Sequence, residues 1–289
     1  MASRPPPPAL SDAPLAPGLY LVATPIGNLR DITLRALDVL AAADVILAED
    51  TRVTGKLLAA YGLKGRLERY DEHAAERTRP KALAALAAGA RVALASDAGT
   101  PLISDPGYRL VRAAAAQGTP VFAIPGASAA LAGLTVSGLP TDRFLFAGFP
   151  PPKRAARRAA FEDLQGAKAT LVFFEGGSRL AASLADMAAV FGPREAAVAR
   201  ELTKLHETTV RGRLDVLAAD PRFETPKGEL VVLVGPGAEW TATADEADAA
   251  LAEALKTAGP SEAAAAVAKA LGLPRRDLYQ RALAMKAGK

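Results

Sequence analysis

The chain has 289 residues and weighs 29.8 kDa, and half of its residues are hydrophobic against 23% charged. That is enough for two compact units with buried cores, and it is unlike a disordered or fibrous chain. The net charge is +4 and the sequence pI near 9.4, which permits a nucleic-acid partner without requiring one. Cysteine is absent and histidine occurs twice, as His73 and His206, so disulfides, thiolate metal sites and a cysteine nucleophile are excluded and no metal is expected.

Residues 1–17 hold Arg4 and four consecutive prolines but no apolar core of a secretory signal, and they read as a disordered tail. Elsewhere charges or Gly and Pro interrupt every apolar run before bilayer-spanning length. A cytoplasmic protein without a membrane partner is therefore expected. From Gly18 onward short apolar strands alternate with Ala/Leu-rich helices. Strands are predicted at Leu19–Ala23, Val45–Ala48, Leu67–Tyr70, Val92–Ala95, Val121–Ile124 and Phe144–Ala147, with helices at Thr33–Ala43, Thr51–Tyr61, Pro80–Ala88, Tyr108–Gln117 and Ala129–Val136. This is the pattern of a mainly parallel sheet covered on both faces, an N-terminal α/β domain over 18–148.

The run Gly148-Phe149-Pro150-Pro151-Pro152-Lys153 continues neither strand nor helix, so 149–153 reads as a linker. A second α/β domain is predicted over 154–240, with helices at Ala155–Leu164 and Arg179–Phe191. Its strands are Thr170–Phe174, Glu195–Arg200, Glu207–Arg211 and Leu230–Val234. Two of these follow each other without a helix between them, which implies a mixed sheet. Residues 241–289 read as a helical tail of helix-turn-helix type, with helices Ala244–Thr257, Glu262–Leu271 and Arg275–Lys286 and with Ser261 as an N-cap.

Glycine and proline gather at the C-terminal ends of the first domain's strands, where ligands bind in doubly wound sheets. Three loops stand out: Thr24-Pro25-Ile26-Gly27-Asn28, the run from Ser96 to Gly107, and Pro125-Gly126-Ala127-Ser128-Ala129. The glycine fingerprints of dinucleotide and P-loop phosphate binding are both missing.

The ordered segments LYLVATPIGNLRDIT, AEDTR, SDAGTPLISDPG, IPGASA, FFEGGSR, RELTKLHE and KGELVVLVG, over about Leu19–Gly237, resemble the RsmI family of ribosomal RNA small subunit methyltransferases. That family lies in the tetrapyrrole (precorrin) methylase superfamily. The resemblance implies a two-domain tetrapyrrole-methylase-like fold and a homodimer. It implies methyl transfer from S-adenosylmethionine to the 2′-hydroxyl of a cytidine in the decoding region of 16S rRNA, on naked rRNA or the 30S subunit. Carried over residue by residue, it gives a cofactor set of Pro25, Gly27, Asp97, Gly99, Thr100, Ile103, Ser128, Ala129, Phe174, Lys227, Gly228 and Glu229.

A ribose hydroxyl is a weak nucleophile that benefits from a base or a nearby cation. Two polar clusters, Glu49–Arg52 and Arg200–Glu207, supply Asp50, Glu201 and Lys204 as catalytic candidates, with His206 beside them. RNA-phosphate contacts are expected from Arg52, from Lys153, Arg154, Arg157 and Arg158 after the prolines, and from the tail. Between Lys269 and Lys289 the tail has six basic residues, Arg275 and Arg276 among them, against one acid. The alternatives are a precorrin or uroporphyrinogen methylase of the same fold, and a DNA-binding regulator that uses the tail.

Overall fold

The computed structural model describes residues 10–11, 13–224, 226–237, 244–271 and 273–287. Most of the N-terminal stretch read as a disordered tail, residues 1–9 and 12, lies outside them, as do residues 238–243 and the tail's last lysine, Lys289.

The first half alternates β1 (Gly18–Val22), α1 (Leu34–Ala42), β2 (Val45–Ala48), α2 (Thr51–Ala60), β3 (Leu67–Arg69), α3 (Glu72–Ala87), β4 (Arg91–Ala95), α4 (Tyr108–Ala116) and β5 (Val121–Ile124). The five strands form one parallel sheet in the order β3-β2-β4-β1-β5. Its central strands are apolar at nearly every position because both faces are covered: Val45–Ala48 is buried throughout. One face packs on α1 and α2 through Leu40, Ile46 and Leu58, and the other on α3 and α4 through Leu47, Leu86 and Leu110.

Helix α3 begins two turns before the predicted Pro80 start. Asp71 caps it, its Oδ1 accepting from Ala74 N at 2.7 Å, and Pro80 sits in the interior. The cap overrides the proline, which gives up only the bond to the Glu76 carbonyl.

The second half comprises α5 (Ala129–Ser137), β6 (Phe144–Gly148), α6 (Arg154–Glu162), β7 (Thr170–Gly176), α7 (Gly177–Phe191), β8 (Glu195–Arg200), β9 (Thr208–Arg213), α8 (Leu214–Ala218) and β10 (Glu229–Val234). Its sheet runs β6-β7-β10-β8-β9 and is mixed, with β6 parallel to β7 and the other pairs antiparallel. Helix α8 has no counterpart among the predicted elements. Leu214 and Leu217 bury one face of a single turn that follows β9 without a break, too short to show a period.

The domain boundary moves. Strand β6, which the sequence places at the end of the first domain, pairs with β7 in the second sheet. Helix α5 also packs there, Ala130 and Leu134 meeting Val172, Ala197 and Val231. The chain thus crosses over after β5, and the prolines of 149–153 form the β6–α6 loop rather than a linker. The reason is stiffness read at the wrong scale, since three prolines suit a tight strand-to-helix connection as well as a spacer.

The tail folds as α9 (Ala244–Ala254), α10 (Pro260–Leu271) and α11 (Arg275–Ala287) around Leu251, Ala264, Val267, Leu278 and Ala282. Pro260 opens α10, and the Gly259 carbonyl accepts the Ala263 N–H at 2.8 Å. Ser261 is therefore not the cap, and its Oγ instead accepts from Arg275 Nη2 at 3.1 Å. Among the described residues no helix is long and apolar enough to cross a membrane.

Candidate active site

The three glycine- and proline-rich loops meet at the C-terminal edge of the first sheet and are tied to each other. Thr24 and Gly99 exchange backbone hydrogen bonds, Thr24 N to Gly99 O at 2.9 Å and Gly99 N to Thr24 O at 3.0 Å. The Thr24 hydroxyl donates to Ser96 O at 3.0 Å, and the Thr100 hydroxyl to Ala127 O at 3.2 Å. Ser128 caps α5. Within the longest loop Ser96 Oγ accepts from Ala98 N and donates to Asp105, while Leu102 and Ser104 adopt left-handed backbone at φ 72° and 65°. Such conformations cost about 1–3 kcal/mol for a non-glycine residue and persist where surrounding bonds fix them.

These loops form one wall of a cavity of about 410 Å³ whose other wall comes from the second sheet. On the first wall stand Ile26, Asp97, Gly99, Thr100, Ile103, Ser128 and Ala129; facing them are Phe149, Phe174, Glu175, Glu201, Lys204 and Glu229. The predicted Asp97, Gly99, Thr100, Ile103, Ser128, Ala129, Phe174, Glu201, Lys204 and Glu229 are thus brought together. Pro25 and Gly27 flank the lining residue Ile26 but do not line the cavity themselves, and neither do Lys227 and Gly228.

The two glycines have another task. A methyl group on Gly27 would stand 2.5 Å from Lys204 Cγ, and one on Gly228 would collide with the Glu201 carboxylate. Both make room for a charged cluster. Lys204 Nζ lies 3.0 Å from Glu201 Oε1 and 3.1 Å from Glu229 Oε2, and Glu201 Oε1 also accepts from Glu229 N at 3.2 Å. Glu201 and Thr203 are left-handed, at φ 51° and 66°. Gly228 is at φ +96°, so Gly228→Ala combines strain with a clash. It is expected to destabilise the chain by about 1–3 kcal/mol in denaturant unfolding; an unchanged midpoint would show that the loop yields freely.

The charges follow from this geometry. Burial alone would lower the Lys204 pKa and raise that of Glu201, but their mutual bond and the Glu229 groups reverse both directions. The two carboxylates thus favour the ammonium form of Lys204. On the opposite wall burial raises Asp97 and Asp105, and the Asp50 charge adds to the rise at Asp97. Asp97 Oδ1 accepts Asp50 N at 3.0 Å.

Two expectations need correction. Asp50 does not face the cavity: its carboxylate caps α2 through Arg52 N at 2.8 Å and binds the Arg52 guanidinium. Those hydrogen bonds hold its pKa far below the usual carboxylate range and tie the carboxylate to the helix start. Arg157 is not a surface cation. Its side chain is 6% exposed and grips Asp186 Oδ2 through Nη2 at 2.6 Å and Nε at 2.9 Å. It lies one turn from the fully buried Phe161 on the inner face of α6, a helical period that a count of charges overlooks.

The other cations remain on the surface. Lys153 and Arg154 are exposed, the latter touching Asp186 with Nε at 3.2 Å, and Arg158 is half-buried. Arg52, Arg275, Arg276 and His206 are exposed and outside the cavity. The lining residues that sequence reasoning missed were in view. Ile26 and Asp105 lie inside the named loops, Glu175 follows Phe174, and Phe149 was absorbed into the proline run.

Residues 18–218 match the family model of the Tetrapyrrole (Corrin/Porphyrin) Methylases, and residues 241–286 that of the RsmI C-terminal HTH domain. The chain is 52% identical to the Ribosomal RNA small subunit methyltransferase I of Mesorhizobium japonicum, over 94% of each chain. It is 56% identical to the protein of that name from Erythrobacter litoralis, over 96% of this chain and 98% of the relative. Among solved structures, the uroporphyrin-III-C-methyltransferase from Thermus thermophilus superposes with a TM-score of 0.53 at 25% identity, covering 75% of this chain and 93% of its own. With residues 18–218 and the helical tail both matched by family models, and with relatives above 50% identical over nearly the whole chain, the chain belongs to the tetrapyrrole methylase family, in its RsmI branch.

Proposed function

We propose that the chain transfers a methyl group from S-adenosylmethionine to the 2′-hydroxyl of a cytidine in the decoding region of 16S rRNA. The observation that carries this reading is identity above 50%, over nearly the full length and the tail, to two proteins named Ribosomal RNA small subunit methyltransferase I. The uroporphyrin-III-C-methyltransferase from Thermus thermophilus spends 93% of its length on 75% of this chain, so a segment of the tail's size has no counterpart there. This favours RNA over a tetrapyrrole. The resemblance brings with it a homodimer and a cytoplasmic location.

The cavity suits the cofactor. Its volume is within the usual range for small-molecule sites, about 300–1,000 Å³. Carboxylates at Asp97 and Glu229 match an ammonium and ribose hydroxyls, while Ile103, Phe174 and Val231 offer apolar surface to an adenine. When bound, the cofactor supplies a methyl group on a positively charged sulfur. The residues around it hold and orient: the hydrogen-bonded loops tie the first wall together, and the Lys204 ammonium, bonded to Glu201 and Glu229, stands on the facing wall. Positioning of this kind lowers a displacement barrier by about 7–11 kcal/mol at best.

The test incubates the full chain and labelled S-adenosylmethionine with 30S subunits, uroporphyrinogen or duplex DNA. Label is expected in 16S rRNA alone. Deletion of residues 241–289 is expected to weaken transfer while calorimetric binding of S-adenosylhomocysteine persists. Label in the tetrapyrrole would overturn the proposal.

A further inference from the structure

Phe149 is an aromatic side chain left more than half in water. It is 54% exposed, yet it lines the cavity. Its ring meets Phe174 edge-on, with centroids 5.5 Å apart and planes at 63°, and Phe174 in turn meets Phe146 at 4.8 Å and 66°. The three rings form a file that begins between the sheets and ends at the cavity mouth with one ring bare.

The backbone that presents this ring is pinned. Arg179 Nη1 donates to Pro150 O at 3.4 Å, and Arg157 Nη1 to Pro152 O at 3.2 Å. Each arginine is itself held by a buried carboxylate, Arg179 by Glu175 and Arg157 by Asp186. Two ion pairs and three prolines therefore keep a partly solvated phenylalanine in one place. Hydrophobic burial does not account for such an arrangement, because the exposed part of the ring gains nothing from it. Lys153 and Arg154 follow at once, both exposed.

A bare aromatic face beside cations is the pairing that binds unstacked polynucleotide, the ring taking a base and the cations its phosphates. We infer that Phe149 is the stacking platform for the base of the target nucleotide, with Lys153 and Arg154 on the adjoining phosphates. A ribose whose base lies on Phe149 stands at the cavity mouth, where its hydroxyl faces the interior. The inference rests on the RNA reading of the site.

The test uses Phe149→Ala and Phe149→Trp in the full chain. For Phe149→Ala the KM for 30S subunits should rise about tenfold, the loss expected when one base–aromatic stack is removed. Its affinity for S-adenosylhomocysteine should stay within about twofold of the parent, and Phe149→Trp should restore the KM. With the single native tryptophan replaced, as Trp240→Phe, the fluorescence of Phe149→Trp should be quenched by a short cytidine-containing RNA oligonucleotide. An unchanged KM for Phe149→Ala would overturn the inference. So would a loss of cofactor affinity as large as the rise in KM, which would place the ring over the adenosine instead. Quenching requires no turnover, so quenching without methyl transfer would overturn the proposed function and leave the platform standing.

Discussion

Asp97→Ala is expected to weaken binding of S-adenosylhomocysteine by roughly ten- to a hundredfold, read by calorimetry, with the fold retained. The side chain stands on the cavity wall and uses Oδ1 on the Asp50 N–H, which leaves the other oxygen to a ligand. A hydrogen bond to a charged partner contributes about 1.5–3 kcal/mol, which corresponds to that range of affinities. Asp97→Asn keeps the acceptor for Asp50 and loses only the charge, so an intermediate loss is expected. Burial raises the Asp97 pKa, so its carboxylate protonates at a higher pH than an ordinary aspartate. Affinity should therefore decline on the acid side earlier in the parent than in Asp97→Asn. Equal affinities for the parent and Asp97→Ala would remove this residue from the site.

Arg157→Met should produce the largest loss of stability, about 3–5 kcal/mol in denaturant unfolding, the usual cost of breaking a buried ion pair. Asp186 is 4% exposed and would keep only the longer contact to Arg154. Adding Asp186→Leu should recover most of the loss, because the uncompensated charge then leaves with its partner. The pH dependence has a definite sign. Burial opposes the Asp186 charge, but the hydrogen bonds from Arg157 and Arg154 win and its pKa is lowered on folding. The pair's stabilisation is thus fully present above about pH 4, the unfolded value for aspartate, and is lost as pH falls through the lower folded value. The double variant should lack that acid limb. Retention of wild-type stability by Arg157→Met would mean that Arg154 alone satisfies the carboxylate.

The sequence made the strands and the ligand-bearing loops legible because both leave a local mark. A buried parallel strand such as Val45–Ala48 is apolar at every position, and a strand-end turn needs glycine and proline nearby. What escaped depends on which neighbour an element meets. Nothing local in Phe144–Gly148 says which of two sheets it joins. Nothing in a cluster of four cations says that Arg157 turns inward to a carboxylate 29 residues away. Asp50 illustrates the same limit at the site: a carboxylate beside Arg52 at a strand end fits a catalytic pair as well as a helix cap, and only the bond from Arg52 N decides between them. Family resemblance reached residues such as Phe174 and Glu229, whose identity alone would not have marked them.

The crossing after β5 determines where the polypeptide tolerates being severed. A fragment ending at Gly148 would carry α5 without the sheet it covers, and β6 without β7, its hydrogen-bonding edge open as a template for aggregation. Division within 125–128 leaves each half with all of its own strands, so complementation of separately expressed halves should succeed at that seam and fail at the prolines.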